Sequence, residues 1–450
     1  MSLFNNERLT NETFKLDVER MRRGWYSDKY FANIALMLEG VRQNGGFTGQ
    51  FAREIGRDPS GLPVGDIEVE MQFFTRRRGK TVIVGVDKAL TMLRHCTGYF
   101  DEHDEWVETW GDVEVTAVHD GCVTEYHGNP LAVQPVIKVR GRYRDFALLE
   151  TPMLGILSRG SRIATNVYDV MRAAKGKPVL FFPARFDLHE VQAADGYAYD
   201  IAVDRFNRDF EGKSRPFIST DAQGDWWGGA GGGTVAHAAI ACFLGDTAAA
   251  MMAFAEFVPP EVARIALVDF NNDSVLDSLR VMKAMFSRHA ELMAAGDEDE
   301  AQKYVLFGVR LDTSGGMRDV NVPPLGDPAL DLGVTPRLVF NVRQALDAAW
   351  EQWDLSASQV EMAKRYCQDV KIAVTGGFNP DKIARFEQLS VPADIYGVGS
   401  SLIRNDRATN TDFTADVVRV KIDGDWVDLA KIGRGASANP NLQPVDLEPL

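Results

Sequence analysis

The sequence predicts an α/β protein with an irregular α/β barrel of parallel strands at residues 149–404. A mixed α+β domain is expected from residues 1–148 together with a returning tail at 405–450. Three observations predict this arrangement. Short apolar runs alternate with amphipathic helical segments after residue 150, which is typical of parallel βαβ units. The first 145 residues instead combine helical segments with strands that alternate apolar and polar residues. That second pattern returns after residue 405.

In the N-terminal region, residues 13–43 have a helical pattern that is interrupted near Gly24. Residues 66–85 alternate apolar and polar side chains and contain a turn signal at Arg78 and Gly79, which predicts a β-hairpin. Further strands are expected at 105–118 and 131–145. The tail alternates again at 415–433, and we expect this second hairpin to join the N-terminal sheet.

The barrel region begins with a long helical segment that ends in glycine at Gly176. The predicted strands that follow are 178–185, 263–270, 304–312, 370–377 and 393–400. The predicted helices are 235–256, 273–295, 337–350, 356–368 and 380–389. Several βα units in about 250 residues favour a closed or nearly closed barrel. A doubly wound open sheet is the alternative.

Composition excludes several classes of protein. The 450 residues are 45% hydrophobic and carry a formal net charge of −15, which argues against a protein that coats nucleic acid. No apolar stretch is long enough to cross a membrane, and the first residues lack the apolar centre of a signal peptide. The four scattered cysteines fit neither a disulfide framework nor a zinc site. We therefore expect a cytoplasmic enzyme or binding protein with reduced cysteines.

The predicted strands end in charged residues, and strand ends are where parallel α/β folds place their sites. Arg185 and Arg310 are suited to grip a pyrophosphate or a carboxylate by forked hydrogen bonds, or to form structural ion pairs. Asp269 and Asp312 are suited to bind ribose hydroxyls or a magnesium ion that bridges phosphates. The alternative for the aspartates is helix capping.

Two glycine clusters follow the last two predicted strands and predict a phosphate cradle. The first contains Gly376 and Gly377, and the second contains Gly397, Gly399 and Ser400. Glycine lets backbone N–H groups approach phosphate oxygens, and the helix that follows adds partial positive charge. The alternative is that both clusters are only tight turns.

One histidine and two aromatic residues are further candidates. His237 follows a glycine run at a predicted helix start, where a catalytic and a structural role are equally compatible with its position. Tyr30 and Phe182 have core packing as their ordinary interpretation.

Seven short motifs occur in an order that resembles the nicotinate phosphoribosyltransferase family of type II phosphoribosyltransferases. They are Glu150-Thr151-Pro152, Ile163-Ala164-Thr165, Phe182-Pro183-Ala184-Arg185, Gly233-Thr234-Val235-Ala236-His237, Arg310-Leu311-Asp312-Thr313, Thr375-Gly376-Gly377-Phe378 and Tyr396-Gly397-Val398-Gly399-Ser400. Tail segments at 413–418 and 430–434 add to the resemblance, which covers about 26–434. It implies an irregular α/β barrel with a mixed domain built from both chain ends.

The resemblance also implies an activity. Nicotinate and phosphoribosyl pyrophosphate would give nicotinate mononucleotide and pyrophosphate, with Mg²⁺ as cofactor and ATP hydrolysed as co-substrate, in NAD biosynthesis. His237 matches the histidine that is transiently phosphorylated, and Arg185 matches an arginine that contacts the phosphoribosyl substrate. Asp312 matches a ribose-binding acid. Asp269 and Arg310 match residues around the ribose and phosphates, and Asp269 is also the candidate for a metal contact.

The same resemblance assigns the pyridine site and an oligomer. Phe182 matches the aromatic residue that stacks on the pyridine ring, and Tyr30 matches a tyrosine that covers the other face from a neighbouring subunit. Flat heteroaromatic rings favour such stacking. A site shared in this way implies a homodimer or a larger homo-oligomer.

The sequence departs from the family before the Gly-Thr…His motif, where Asp221 and Asp225 precede a long glycine run. An acid beside the ring substituent would favour an amide over a carboxylate because like charges repel. Nicotinamide or quinolinate phosphoribosyltransferase activity on the same fold therefore stays open, as does a non-catalytic paralogue. An aldolase or isomerase barrel is disfavoured because Lys371 begins its strand rather than ending it.

Overall fold

The structure is a computed structural model that describes residues 7–49, 51 and 62–450. The chain divides into two compact units. The first unit comprises Met1–Tyr168, Tyr197–Arg208 and Arg404–Leu450, and the second comprises Asp169–Gly196 and Asp209–Ile403. The domain boundary expected at 148/149 falls at the start of a long helix, whereas the two units divide inside that helix.

Within the described residues the strands are β1 (Glu68–Thr75), β2 (Gly79–Val82), β3 (Gly98–Phe100), β4 (Trp106–Glu108), β5 (Glu114–Ala117), β6 (Val123–Tyr126), β7 (Ile137–Arg142), β8 (Val179–Phe181), β9 (Ile265–Leu267), β10 (Gly308–Leu311), β11 (Lys371–Val374), β12 (Ile395–Val398), β13 (Phe413–Ile422), β14 (Asp425–Asp428) and β15 (Gln443–Pro444).

The α-helices in the same residues are α1 (Asn11–Phe14), α2 (Val18–Arg22), α3 (Lys29–Gln43), α4 (Val86–Cys96), α5 (Tyr143–Phe146), α6 (Glu150–Ala173), α7 (Gln192–Phe210), α8 (His237–Cys242), α9 (Thr247–Phe257), α10 (Ser274–Ala295), α11 (Glu298–Gln302), α12 (Pro328–Asp331), α13 (Pro336–Ala348), α14 (Val360–Asp369) and α15 (Pro380–Gln388). None of these described helices is both long enough and apolar enough to cross a membrane.

The first unit is built on a six-stranded sheet in the order β14-β13-β1-β7-β5-β15. Strand β13 pairs antiparallel with β1, from Val69 opposite Val420 to Thr75 opposite Phe413. The sheet therefore combines strands from both ends of the chain, as predicted. Its apolar face packs on α4, where Leu90 and Leu93 are fully buried.

The hairpin predicted at 66–85 is wrong. Strand β1 pairs with β7 and β13, whereas β2 pairs with β6 in a separate two-stranded sheet. Seven of the eight residues of β1 are buried, so this strand is central and both of its edges are occupied by other strands. The turn at Gly79, with φ of 76°, leads the chain away from the sheet instead of back along it.

The second unit contains a parallel sheet in the order β8-β12-β11-β10-β9. The predicted parallel α/β architecture is therefore confirmed, and all five predicted strands are present. Beyond β8 the sheet continues only through single-residue bridges, from Phe181 to Ile218 and from Ile218 to Gly231. No closed ladder forms among the described residues. The glycine run at 228–233 is unfavourable for a regular strand, which accounts for the interrupted edge.

The helix predicted at 235–256 is two helices. The chain turns between α8 and α9 because Leu244 and Gly245 both have positive φ, 55° and 84°. Asp246 then caps α9 by accepting a hydrogen bond from the amide of Ala249. This break ends α8 after six residues, so His237 stands at the start of a short helix.

Candidate functional site

A cavity of about 340 Å³ lies in the second unit at the carboxyl ends of the parallel strands. Strands β8, β10, β11 and β12 each deliver wall residues at or just after their last residue. Ten of the thirteen site residues predicted from the sequence line the cavity: Phe182, Arg185, His237, Arg310, Asp312, Gly376, Gly377, Gly397, Gly399 and Ser400. The fold thus gathers residues that are separated by more than 200 positions in the chain.

Two arginines, Arg185 and Arg310, line this cavity, and Asp312 and Asp269 supply negative charge near Arg310. Arg310 donates to the carbonyl of Val235 at 3.0 Å, and its Nη1 lies 3.5 Å from Oδ2 of Asp312. Its Nε is buried without a hydrogen-bond partner. Burial lowers the pKa of Arg310 below its usual range, and the charge of nearby Arg185 acts in the same direction. Arg185 is exposed to the cavity, forms no ion pair within the described residues, and lies over the ring of Phe186. Two like charges held this close favour a bound anion.

His237 is oriented by a buried carboxylate. Its Nε2 lies 2.9 Å from Oδ1 of Asp269, whose side chain is 8% exposed. Burial raises the pKa of the Asp269 carboxyl above its usual value despite the opposing effect of His237, and Asp312 adds to the rise. Because Asp269 occupies Nε2, the Nδ1 atom of His237 is the ring nitrogen left for chemistry.

The loop after β11 lines the cavity with Gly376 and Gly377. Gly376 and Gly377 have φ of 87° and 70°, a conformation that favours glycine. No hydrogen bond within the described part of the chain uses their amide groups. The Cβ of any larger residue at 376 would lie 3.4 Å from Oδ1 of Asp312. The loop therefore combines two amides that have no partner within the described residues with the carboxyl group of Asp312 beside them.

Glycine is needed after β12 for a different physical reason, which is close packing. A Cβ at Gly397 would lie 2.4 Å from Cγ2 of Thr375, and one at Gly399 would lie 2.5 Å from the ring of Phe186. These glycines therefore allow close packing of aromatic rings onto the loop. They also line the cavity together with Ser400, so this packing role accompanies any phosphate contact.

Three predicted residues do not line the cavity. Asp269 lies just behind its wall and reaches it through His237. Asp225 is exposed, and Tyr30 belongs to the first unit, where it is 57% exposed and donates to Asp28. Asp221 accepts a hydrogen bond from the amide of Gly231 at 2.9 Å, which braces the glycine run.

Two wall residues were missed by sequence reasoning. Ser219 follows Ile218, the single residue that extends the sheet beyond β8, and a one-residue strand gives no periodic signal. Its amide and hydroxyl both donate to Oε1 of the buried Gln223. Phe186 directly follows Arg185 and is 45% exposed at the cavity. The pairing of an aromatic residue with a strand-end arginine was the available signal.

The acidic residues at this site fit a magnesium ion that is held mainly by substrate. Asp269 and Asp312 are the two carboxylates, and each already has a cationic neighbour. The described residues contain no group of three or more histidine, cysteine or acidic side chains that would hold a metal ion by themselves. Mg²⁺ commonly binds through one or two carboxylates plus phosphate oxygens, and Asp269 and Asp312 could supply the carboxylates alone.

Solved structures share this fold. The chain is similar to the nicotinate-nucleotide pyrophosphorylase from Pyrococcus furiosus, with 24% identity, a TM-score of 0.62, and coverage of 94% of this chain and 80% of that chain. It is also similar to the human nicotinic acid phosphoribosyltransferase, with 18% identity, a TM-score of 0.54, and coverage of 88% of this chain and 74% of that chain. No family model matches the sequence.

Proposed function

We propose that this protein is a nicotinate phosphoribosyltransferase, which forms nicotinate mononucleotide and pyrophosphate from nicotinate and phosphoribosyl pyrophosphate with coupled ATP hydrolysis. The observation that carries the proposal is the pair Arg185 and Arg310, two guanidinium groups that line one cavity together with the glycine loop at 376–377. This arrangement is suited to a substrate with two separate phosphate groups. The names of the two solved structures that share the fold supply the pyridine substrate class.

The transfer needs alignment and charge stabilisation rather than a protein nucleophile at ribose. Pyrophosphate leaves C1 of the ribose as the pyridine nitrogen approaches, and positive charge develops on the sugar. Arg185 and Arg310 stabilise the departing pyrophosphate because their charges are already in place. Bound Mg²⁺, held between the phosphates and Asp269 or Asp312, would add charge neutralisation. Asp312 binds the ribose hydroxyls, and the amides of Gly376 and Gly377 hold the 5′-phosphate.

The pyridine ring would stack on Phe182, with Tyr30 of a second copy of the chain on its other face. Helix α3 carries an exposed apolar band that contains Tyr30, Leu36 and Met37, which are 57%, 71% and 60% exposed. Apolar exposure on this scale is typical of an interaction surface. A homodimer would bury the band and bring Tyr30 to the cavity of its partner.

His237 provides the coupling to ATP. Transfer of the γ-phosphoryl group to Nδ1 breaks the bond to the β-phosphate oxygen and releases ADP, and water later removes the phosphoryl group as phosphate. Asp269 holds the ring and stabilises positive charge on it through Nε2. A phosphoryl group on His237 would add negative charge to the same cavity as the two arginines, so its hydrolysis can drive release of the products.

We propose a carboxylate substituent on the pyridine ring in preference to an amide. Neither Asp221 nor Asp225 lines the cavity, and Asp221 is engaged with Gly231. Neither of these aspartates therefore places a negative charge on the described cavity wall, where the acid present is Asp312, which lies 3.5 Å from Arg310. Quinolinate would need cationic groups for two carboxylates on its ring, in addition to those that hold the pyrophosphate.

Pyrophosphate release by the purified protein tests the proposal. Phosphoribosyl pyrophosphate and Mg²⁺ are supplied with nicotinate, nicotinamide or quinolinate, each with and without ATP. We expect release with nicotinate and an increase on addition of ATP. Release with nicotinamide or quinolinate alone would contradict the substrate assignment, and no release with any pyridine would favour a non-catalytic paralogue.

The ATP coupling is tested separately with His237→Ala. This variant should keep basal transfer and lose the stimulation by ATP, because the phosphoryl acceptor is removed while the arginines remain. His189→Ala is the matched control, since His189 is an exposed histidine beside Glu190 that does not line the cavity. Stimulation that survives in His237→Ala would rule out the phosphohistidine.

A further inference from the structure

Lys382 lies behind the glycine loop and contacts it at two points. It is in the first turn of α15, which begins just after the loop, and its own amide donates to the capping side chain of Asn379. Its Nζ donates to the carbonyl oxygen of Gly376 at 3.4 Å. The same ammonium lies 4.2 Å from the ring centre of Phe378, a buried cavity residue. Lys382 thus contacts the residues on either side of Gly377, which are Gly376 and Phe378.

The contact with the Gly376 carbonyl fixes the direction of a backbone amide. The described chain contains no cis peptide bond, and in a trans peptide the C=O and N–H groups point in opposite directions. If the carbonyl of Gly376 points toward Lys382, the N–H of Gly377 points away from it. Gly377 lines the cavity whereas Lys382 does not, and the N–H of Gly377 has no partner within the described residues.

Lys382 is also an isolated positive charge. It takes part in no ion pair within the described part of the chain, although Asp381 and Arg385 share the wall of a second cavity with it. Asp312 lies on the other side of the loop, against Gly376. Burial lowers the pKa of Lys382 to about 8. A partly buried lysine without an ion-pair partner is suited to interact with an anion bound nearby.

We propose that Lys382 is a positioning residue for phosphate binding, which holds the Gly376–Gly377 peptide with its N–H toward the cavity and supplies positive charge from behind the loop. This inference rests on the proposed function only in naming the ligand as the 5′-phosphate of the phosphoribosyl group. The side chain acts through the loop, because it is absent from the cavity wall.

Arg385 provides a matched control. It lies three residues further along the same helix, is exposed, and lines the second cavity together with Lys382. It forms no hydrogen bond with the loop in the described structure. If an anion bound in the second cavity, Arg385 and Lys382 would both matter. If Lys382 acts through the loop, only Lys382 would matter.

Binding of ribose 5-phosphate, measured by calorimetry, tests the proposal without any turnover. The variants are Lys382→Met, which keeps length but loses charge and donor, Lys382→Arg and Arg385→Met, with thermal unfolding as a check of folding. At pH 7 we expect Lys382→Met to bind about tenfold more weakly, Lys382→Arg to recover part of the loss, and Arg385→Met to match the wild type. The advantage of the wild type over Lys382→Met should shrink between pH 7 and pH 9.5, as Lys382 loses its proton.

Equal binding by Lys382→Met and the wild type would overturn the proposal, as would an equal loss in Arg385→Met. A constant ratio between wild type and Lys382→Met across this pH range would also contradict it, since a merely structural lysine would lower stability without this pH dependence. Binding that follows the expected pattern without pyrophosphate release in the transfer assay would leave the Lys382 assignment standing and reject the proposed reaction. A wild-type protein that does not bind ribose 5-phosphate would overturn the phosphate site itself.

Discussion

The two units differ in how completely a charged side chain in the interior is neutralised by its neighbours. In the first unit, Glu70 is 1% exposed at the centre of the antiparallel sheet and lies within 3.3 Å of Lys138, Arg140 and Arg419. In the second unit, the side chain of Arg310 is 13% exposed, its ion-pair partner is Asp312 at 3.5 Å, and both Asp269 and a second arginine act on its charge.

Under the proposed function, this difference is one between a charge that stabilises the fold and a charge that is suited to bind a ligand. Burial by itself would raise the pKa of Glu70, but the three cations more than offset it and hold that pKa below its usual value. The corresponding opposite charge around Arg310 is incomplete. A bound pyrophosphate would supply the missing negative charge. The free energy that a stronger ion pair would have contributed to folding would then contribute to ligand binding.

The largest expected effect is at Arg310. Arg310→Lys keeps the charge but loses the forked geometry, so kcat/KM for phosphoribosyl pyrophosphate should fall by about 10²–10³-fold in steady-state kinetics. The control is Arg343→Lys, because Arg343 uses its guanidinium to hold the carbonyls of Cys367 and Val370 and to pair with Asp347. That change should lower the melting temperature and leave kcat/KM nearly unchanged. An equal loss of kcat/KM in both variants would show that Arg310 does not differ from the structural Arg343 in its effect on catalysis.

A smaller effect is expected at Glu70. It concerns the free energy of unfolding and not catalysis. Glu70→Gln leaves three cations without their acid and should reduce the free energy of unfolding by about 3 kcal/mol in urea denaturation. Glu68→Gln, on the same strand, removes a half-exposed pair with Lys421 and should cost less than about 1 kcal/mol. A Glu70→Gln protein as stable as Glu68→Gln would show that the buried cluster does not stabilise this sheet.

Sequence patterns predicted those parts of the fold that depend on local periodicity. The five parallel strands of the second unit are continuous apolar runs, and each was found near its expected position. Strand partners were harder to predict. The pairing of β1 with β13 joins residues about 350 positions apart, and only burial on both faces of β1 reveals that it is central. The split between α8 and α9 depends on the positive φ of Leu244, a residue type that does not ordinarily signal a turn.

The candidate site was more predictable than the fold around it, since parallel strands place their ends together whatever their order in the sheet. Arg310, Asp312 and the glycines at 376–377 could be found from that rule alone. Ser219 could not, because its strand is one residue long. Lys382 was equally hidden, since its contact with Gly376 depends on a loop conformation that no spacing rule specifies.

Glu150 provides a further test of the comparison, because it is a partly buried acid of the first unit that has no cationic partner within the described residues. Tyr143 lies 3.5 Å away, Asp28 and Asp416 add negative charge, and no ion pair with Glu150 forms in the described residues. Burial, with these acids, raises the pKa of Glu150 to about 8.

The sign of its pH dependence follows from that shift. The folded protein keeps the proton of Glu150 up to about pH 8, whereas the unfolded chain loses it near pH 4.5, so the wild type loses stability as pH rises between these values. Glu150→Gln mimics the protonated form. Its free energy of unfolding should match the wild type near pH 4.5 and exceed it by about 2 kcal/mol at pH 8, as measured by urea denaturation across this range. Glu12→Gln, at an exposed carboxylate, should show no such divergence. A variant that is less stable than the wild type at pH 8 would mean that Glu150 is ionised and paired, and that the first unit has no incomplete charge of the kind seen around Arg310.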